Sequence, residues 1–280
     1  LKETAKTNSK LIFIVAAFII IPSTYSFIVY TNYEEERNPV EVVVVQPNID
    51  PYHKFGRISE VEQVNTILSL AKQKITPNTQ YVVAPETAIP RGSDESEFEE
   101  NYGIIEIRNL IEKFPRLKFL TGISSQINYG ESDIKPTPTA RKIKRNKTWY
   151  DSFNTAILID NSSTIQTYHK SKLVLGAEKM PYPKLLAPLE KFAVDLGGTF
   201  GSLGAEKEAK VFHNANTSIA PVICYESVFA GYCSSYVKKG ASLIFIITND
   251  GWWKDTPGYQ QHLAFARLRA IENRRSIARS

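Results

Sequence analysis

Cysteine is scarce. The 280 residues hold two, Cys224 and Cys233, too few for a disulfide framework. Histidine is almost as rare, with four residues at 53, 169, 213 and 262. No HxxxH or CxxC spacing is present, which argues against a structural zinc site. No Gly-x-Ser-x-Gly elbow occurs, so that type of serine chemistry has no seat. No internal repeat is visible. The charge excess is small, 34 Lys+Arg against 29 Asp+Glu for a net +5; it fits an anionic membrane surface or nucleic acid and decides neither. The 42% hydrophobic and 11% aromatic content excludes a disordered or collagen-like chain. The length suits one domain, or one domain with an appendage.

One long hydrophobic run is present. Leu11 to Tyr30 carries no charge over twenty residues, enough to cross a bilayer core of about 30 Å. Pro22 interrupts it, as membrane helices tolerate. Tyr25, Tyr30 and Tyr33 sit towards one end like an interfacial belt. Lys2, Lys6 and Lys10 precede the run, and Glu34, Glu35, Glu36 and Arg37 follow it. The Lys excess places the N-terminal flank in the cytoplasm and everything after the run outside it. A cleaved signal peptide with Leu11–Ile21 as its core is the alternative; the apolar stretch after Pro22 and the lack of a clear small-x-small site favour an uncleaved anchor.

From Glu41 short apolar runs alternate with amphipathic stretches, the pattern of an α/β protein with helix-covered sheets. Strands are expected at 42–45, 81–84, 117–123, 219–223 and 242–247. A hairpin is expected to join 156–159 to 165–168 through Asp160-Asn161-Ser162-Ser163. Helices are expected at 58–71, at 104–114, from Glu226 to Val237, and from Gln260 to the end. Two segments break the rhythm. The polar, basic stretch 126–149 reads as a solvated loop or hairpin, with a headgroup-binding patch as the other possibility. The serines after Ile123, Ser125 among them, are taken as exposed. Met180 to Leu203, rich in Pro, Leu, Phe and Gly, reads as a long functional lid.

Three residues carry chemistry. Glu86 follows an apolar strand, at the end where α/β folds place their sites; a helix cap or solvent-facing acid is the plain alternative. Lys170 lies at a strand exit and is an oxyanion partner or an ordinary surface lysine. Cys224 ends a strand just before a helix, where the dipole favours thiolate; a buried structural cysteine is the alternative, and Cys233 fits that description. A cysteine nucleophile needs a base and an oxyanion-holding group. On spacing alone, His213 or His262 remains a possible base.

The ordered pieces VVVVQPNI, APET with Glu86, YHKSKLV with Lys170, VICYES with Cys224, NDGWW and HLAFARLRAIENRRSIARS make the chain from residue 41 onwards resemble the nitrilase, or carbon–nitrogen hydrolase, superfamily. The preceding apolar run and YHKSKLVLGAEKMPYP resemble its membrane-bound, lipoprotein-acylating branch. The resemblance implies a four-layer αββα sandwich preceded by a transmembrane helix, divided as 1–38 and a C-terminally truncated catalytic domain 39–280. It implies a catalytic triad of Glu86 as base, Lys170 as oxyanion partner and Cys224 as nucleophile, with Glu178, Tyr225 and Glu226 in support. It further implies a phospholipid acyl donor, a Cys224 thioester and transfer to the α-amino group of a diacylglyceryl-cysteine lipoprotein. No cofactor, metal or nucleic acid is implied. The bacterial inner membrane, with the domain on the periplasmic side, is the implied location. Leu185, Leu186, Trp252 and Trp253 are expected to face lipid. The alternative within the same superfamily is a tethered or secreted amidase or nitrilase that transfers the acyl group to water.

Overall fold

The computed structural model describes residues 2–34, 38–143, 145, 147–180, 202–214 and 217–280. The chain divides into two compact units, 1–39 and 40–280.

The first unit is the helix α1, Lys2–Thr31. Its Ser9–Thr31 stretch of 23 residues has a mean hydropathy of 2.3 and is long and apolar enough to cross a membrane. At 1.5 Å per residue it spans about 35 Å. Leu11, Phe13, Phe18 and Ile21 are all exposed. Pro22 lies inside the helix, and Ser23 Oγ beside it donates to Ile19 O at 2.7 Å.

The second unit holds two sheets. The first contains β1 (Val42–Val44), β2 (Tyr81–Val83), β3 (Ile89–Asp94), β4 (Lys118–Glu131), β5 (Arg141–Lys142), β6 (Thr148–Ile159) and β7 (Gln166–His169). The order is β1-β2-β4-β6-β5, with β3 also paired to β4 and β7 to β6. Strands β1, β2 and β4 are parallel, whereas β6 runs antiparallel to β4 and β7. The second sheet is β8 (Phe212–His213), β9 (Ser218–Ile223), β10 (Leu243–Ile247) and β11 (Ile277–Arg279), ordered β11-β10-β9-β8.

Side-chain alternation along the strands builds the layers. Tyr81, Leu120 and Tyr168 of the first sheet share one core with Ala220, Val222 and Phe245 of the second; the Tyr81 and Phe245 rings meet edge-on at 5.2 Å. Helices α3 (Glu60–Lys72) and α4 (Tyr102–Lys113) follow the short α2 (Pro51–Lys54). They pack Val64, Ile67, Leu68, Ile104 and Leu110 onto the outer face of the first sheet around Val82 and Phe119. Each such fully buried aliphatic chain contributes about 1.5–3 kcal/mol. Cys233 and Tyr236 of α5 (Ala230–Lys238) and Ala266 of α6 (Gly258–Asn273) cover the second sheet. The four layers are the αββα sandwich implied above.

Several local expectations are corrected. The strand from 118 runs past 123 to Glu131 and pairs antiparallel with β6 along its length, which makes 126–149 the end of a hairpin, one of its expected forms; Ser125, expected to be exposed, is 1% exposed. The last helix stops at Asn273, where Arg274 turns left-handed; Ile277–Arg279 is a strand on β10. The chain after Ile223 makes a five-residue 3₁₀ turn, Cys224–Val228, before α5 begins at Ala230. Of the expected lid, 181–201 with Leu185 and Leu186 lies outside the described residues, and Leu203 is buried.

Candidate active site

Glu86, Lys170 and Cys224 come together at strand ends of the two sheets. Glu86 follows β2, and Thr87 after it adopts φ 46°. The turn fits because Gly122 of β4 has no side chain: a Cβ there would stand 2.3 Å from Thr87 N and 2.7 Å from Glu86 Cα. Lys170 follows β7, with its N–H on Asn154 O at 2.8 Å.

The Lys170 ammonium, 1% exposed, donates to Glu86 Oε1 and to Glu178 Oε1, each at 2.9 Å. The amide of Asn154 spans the same carboxylates, its Nδ2 lying 2.7 Å from Glu86 Oε1 and 2.8 Å from Glu178 Oε1. Glu178 is fixed in turn by the Val174 N–H on Oε2 at 2.9 Å. Burial works to raise the Glu86 pKa, but the Lys170 charge and the hydrogen bonds from Lys170 and Asn154 outweigh it and hold the carboxyl below its ordinary range. Burial works to lower the Lys170 pKa, and the two carboxylates overcome it, so the ammonium persists well above its ordinary range.

Cys224 follows β9 with φ 48°, a left-handed conformation that costs a non-glycine residue about 1–3 kcal/mol and is characteristic of functional turns. Cys224 is half-buried as a residue. The expected thiolate does not form at rest. Burial, with the Glu86 charge adding to it, pushes the thiol up to about 12, and a single 3₁₀ turn supplies little of the dipole a longer helix would. Cys224 therefore rests as a thiol beside an ionised Glu86. Cys233 is buried and also pushed up to about 12 by burial. The break at Phe229 separates the two cysteines onto different elements.

Glu226 is completely buried. Its Oε1 accepts from Tyr168 OH at 2.6 Å, Ser171 N at 2.7 Å and Lys172 N at 3.2 Å; its Oε2 accepts from Ile223 N at 2.9 Å. Burial pushes this carboxyl up to about 7 against those donors. Tyr225 is 37% exposed beside Phe229, ring centroids 5.2 Å apart. Trp253 is 46% exposed, and Trp252 packs edge-on against Tyr52 at 5.1 Å.

Two contributors were missed from the sequence. Lys54, at the end of α2, is 4% exposed; its Nζ donates to Glu86 O at 2.6 Å and Thr87 Oγ1 at 2.5 Å. Burial pulls its pKa down to about 8 despite Glu86 and Cys224. Asn154 lies in the middle of a strand, with no local signal of its role. His262 meets the Cys224 main-chain carbonyl, not its thiol, and His213 bonds Ser218 in the second sheet. Among the described residues, no group of three or more His, Cys, Asp and Glu could hold a metal.

A buried carboxylate–lysine pair beside a cysteine on a strained strand-to-turn elbow, in an αββα sandwich, suits acyl transfer through a thioester. The chain matches the carbon–nitrogen hydrolase family model over residues 41–279, and it belongs to that family. Curated relatives named apolipoprotein N-acyltransferase include the Chlorobaculum tepidum protein, 29% identical over 99% of this chain and 52% of its own length. That of Aquifex aeolicus is 28% identical over 89% of this chain and 49% of its own. The chain thus spans about half the length of these relatives. Among solved structures, a carbon–nitrogen hydrolase from Helicobacter pylori superimposes with a TM-score of 0.53 at 14% identity, over 86% of this chain and 72% of that one. An amidase from Nesterenkonia sp. AN1 gives 0.52 at 14% identity, over 89% and 78%. These two establish the sandwich fold.

Proposed function

We propose that the chain is the acyl-transferring part of an enzyme that moves a fatty acyl group from a membrane phospholipid to the α-amino group of a diacylglyceryl-cysteine lipoprotein. The observation that carries this reading over a hydrolase is the reach of the likeness. The Chlorobaculum tepidum apolipoprotein N-acyltransferase aligns over 99% of the chain, apolar helix included, whereas the hydrolase family model begins at residue 41. The apolar helix anchors the domain in a bacterial inner membrane, with its lysine-bearing flank cytoplasmic and the domain periplasmic. Half-exposed Trp253, with Trp252, faces the lipid.

The steps follow from the site. The Cys224 Sγ attacks the ester carbonyl carbon of the phospholipid as its proton passes to Glu86. Glu86 takes this proton because the group rests as a thiol. The oxyanion is held by the Lys170 ammonium and the Tyr225 N–H. Collapse breaks the carbon–oxygen bond to glycerol, Glu86 returns the proton to the leaving alkoxide, and lysophospholipid departs. The lipoprotein amine then attacks the thioester, Glu86 takes an amine proton and delivers it to the departing Cys224 sulfur. Glu178 holds Lys170, and Glu226 holds the backbone on both sides of the site.

The test incubates full-length protein with acyl-labelled phospholipid without acceptor. A labelled thioester on Cys224, discharged on addition of a diacylglyceryl-cysteine peptide, is expected. Steady release of free fatty acid at the rate of transfer would establish the hydrolase instead. Cys224→Ala should abolish labelling. Cys233→Ala should label normally and lose on the order of 1 kcal/mol of stability.

A further inference from the structure

A second buried cluster meets Cys224 at its main chain. His262, on α6, is 5% exposed. Its Nε2 lies 3.1 Å from Cys224 O and 3.1 Å from Ser227 Oγ, and Ser227 Oγ itself donates to Cys224 O at 2.8 Å. Its Nδ1 lies 2.8 Å from Asp250 Oδ1. Arg279, on β11, donates through Nη2 to Asp250 Oδ2 at 2.5 Å and stands 3.2 Å from the His262 Nδ1. Burial works to raise the Asp250 pKa, but its hydrogen bonds to His262 and Arg279 outweigh it and hold the carboxyl below its ordinary range. A carboxylate so placed fixes the orientation of an imidazole. The Nε2 is then aimed at the Cys224 carbonyl, which can only accept, as can the Asp250 carboxylate at Nδ1; both contacts are hydrogen bonds only when each ring nitrogen carries a proton, so the ring that clamps the carbonyl is the imidazolium, with Asp250 as its counter-ion.

The consequence lies in the peptide unit. The Cys224 carbonyl and the Tyr225 N–H belong to one planar trans amide and point in opposite directions. Whatever clamps the oxygen aims the N–H. The left-handed φ of Cys224 makes this peptide strained, so it keeps its orientation only where surrounding groups hold it. His262 and Ser227 are those groups.

We propose that the Arg279–Asp250–His262 relay is a positioning device, which clamps the Cys224 carbonyl and thereby aims the Tyr225 N–H at the oxyanion of the reaction. This rests on the reading of Tyr225 N–H as an oxyanion donor given above. His262 is a positioning residue: it touches no reacting atom and acts through the peptide plane.

Two reactions of the same thiol separate this role from general support. Acylation by 4-nitrophenyl butyrate forms an oxyanion and needs no lipid recognition. Alkylation by iodoacetamide displaces iodide at a saturated carbon and forms none. In the full-length protein, His262→Leu is expected to slow the acylation burst about 100-fold, the scale of losing one oxyanion donor, while alkylation of Cys224 changes less than about threefold. His262→Gln, which restores an N–H donor, is expected to recover acylation to within about tenfold of wild type. Asp250→Asn, which loosens the ring and keeps its volume, is expected to lose about tenfold in acylation alone, and it decides the matter if His262→Leu does not fold. Unchanged acylation in the folded variants overturns the proposal, as does a parallel fall of both reactions that glutamine does not rescue. Wild type without an ester burst removes the oxyanion reading and this proposal with it. A wild-type burst without transfer from phospholipid counts only against the lipid donor, and the comparison of variants still decides the relay.

Discussion

Glu226 accepts the Ser171 N–H at 2.7 Å, which ties the turn carrying Cys224 to the loop that follows Lys170. Cys224 and Lys170 arrive from different sheets, and this carboxylate is a direct link between their backbones. The Ser171, Lys172 and Ile223 N–H groups on Glu226 can only donate, so the ionised form is the one that holds the loop.

That arrangement sets opposite pH trends for stability and activity. The folded pKa of Glu226 is raised to about 7 from an ordinary 4.5, so the folded state holds this proton more tightly than the unfolded chain. The stability so contributed is fully present below about pH 4.5 and is lost as pH rises through about 7, on the order of 3 kcal/mol. Activity should move the other way, falling as Glu226 protonates below about pH 7. Thermal unfolding and kcat/KM measured from about pH 5 to about pH 8, in wild type and Glu226→Gln, check both. The wild-type stability advantage should shrink towards pH 7 and level off above it. An advantage that is independent of pH would show that Glu226 does not titrate there.

Gly122→Ala is expected to damage the site from beneath. Its new Cβ would fall within 2.7 Å of both Thr87 N and Glu86 Cα, backbone atoms that cannot swing aside as a flexible side chain would. Overpacking of this kind costs about 1–3 kcal/mol, and Glu86 must shift away from Lys170. Activity should drop at least about tenfold, while circular dichroism retains the wild-type secondary structure. Wild-type kcat in a folded Gly122→Ala protein would mean that the Glu86 turn tolerates displacement.

The parts of this site that were legible in the sequence are those with a local cause. Glu86, Lys170 and Cys224 each follow an apolar run, and a strand end is readable from hydropathy. The hairpin between β6 and β7 was visible through its Asp-Asn-Ser-Ser turn. The parts that were hidden depend on contacts far apart in the chain. Lys54 lies 32 residues from the carbonyl it holds, and Asn154 68 residues from Glu86; each looks like an ordinary polar residue where it stands. Ser125 looked exposed because polarity suggests solvent, yet it is buried against Thr155 and Glu95. The thiol pKa was misjudged for a related reason. Local order pointed to a helix N-terminus, while burial and the charge of Glu86, brought in from the other sheet, set the actual direction.

Lys54 is expected to govern the alkaline side of the pH profile. Its ammonium holds the Glu86–Thr87 turn, and burial has lowered its pKa to about 8. Loss of that proton removes a positive charge from beside Glu86 and Cys224. The kcat profile should therefore fall above about pH 8, and Lys54→Gln, which keeps an N–H donor without a titrating charge, should lose that limb. At neutral pH the same variant should lower kcat about tenfold with KM nearly unchanged, since Lys54 touches the backbone of Glu86, the proposed base. Steady-state kinetics across the range would show it, and an unaltered alkaline limb would assign that pKa to another group.

Membrane orientation can be read at a single engineered thiol. The lysines at 2, 6 and 10 precede the apolar run and acidic residues follow it, so the domain should lie on the far side of the membrane from the cytoplasm. The labelling site must be exposed, which Ser125 is not. Asp133, in the segment between β4 and β5, is exposed, and no described hydrogen bond or salt bridge depends on its side chain. Asp133→Cys in a Cys224→Ala, Cys233→Ala background leaves one reactive thiol in the chain. A membrane-impermeant maleimide should label it in spheroplasts whose inner membrane is intact. Labelling that appears only after detergent would place the domain in the cytoplasm. That result would also remove the basis for a periplasmic acceptor, because the diacylglyceryl-cysteine could not then reach Cys224 from that side.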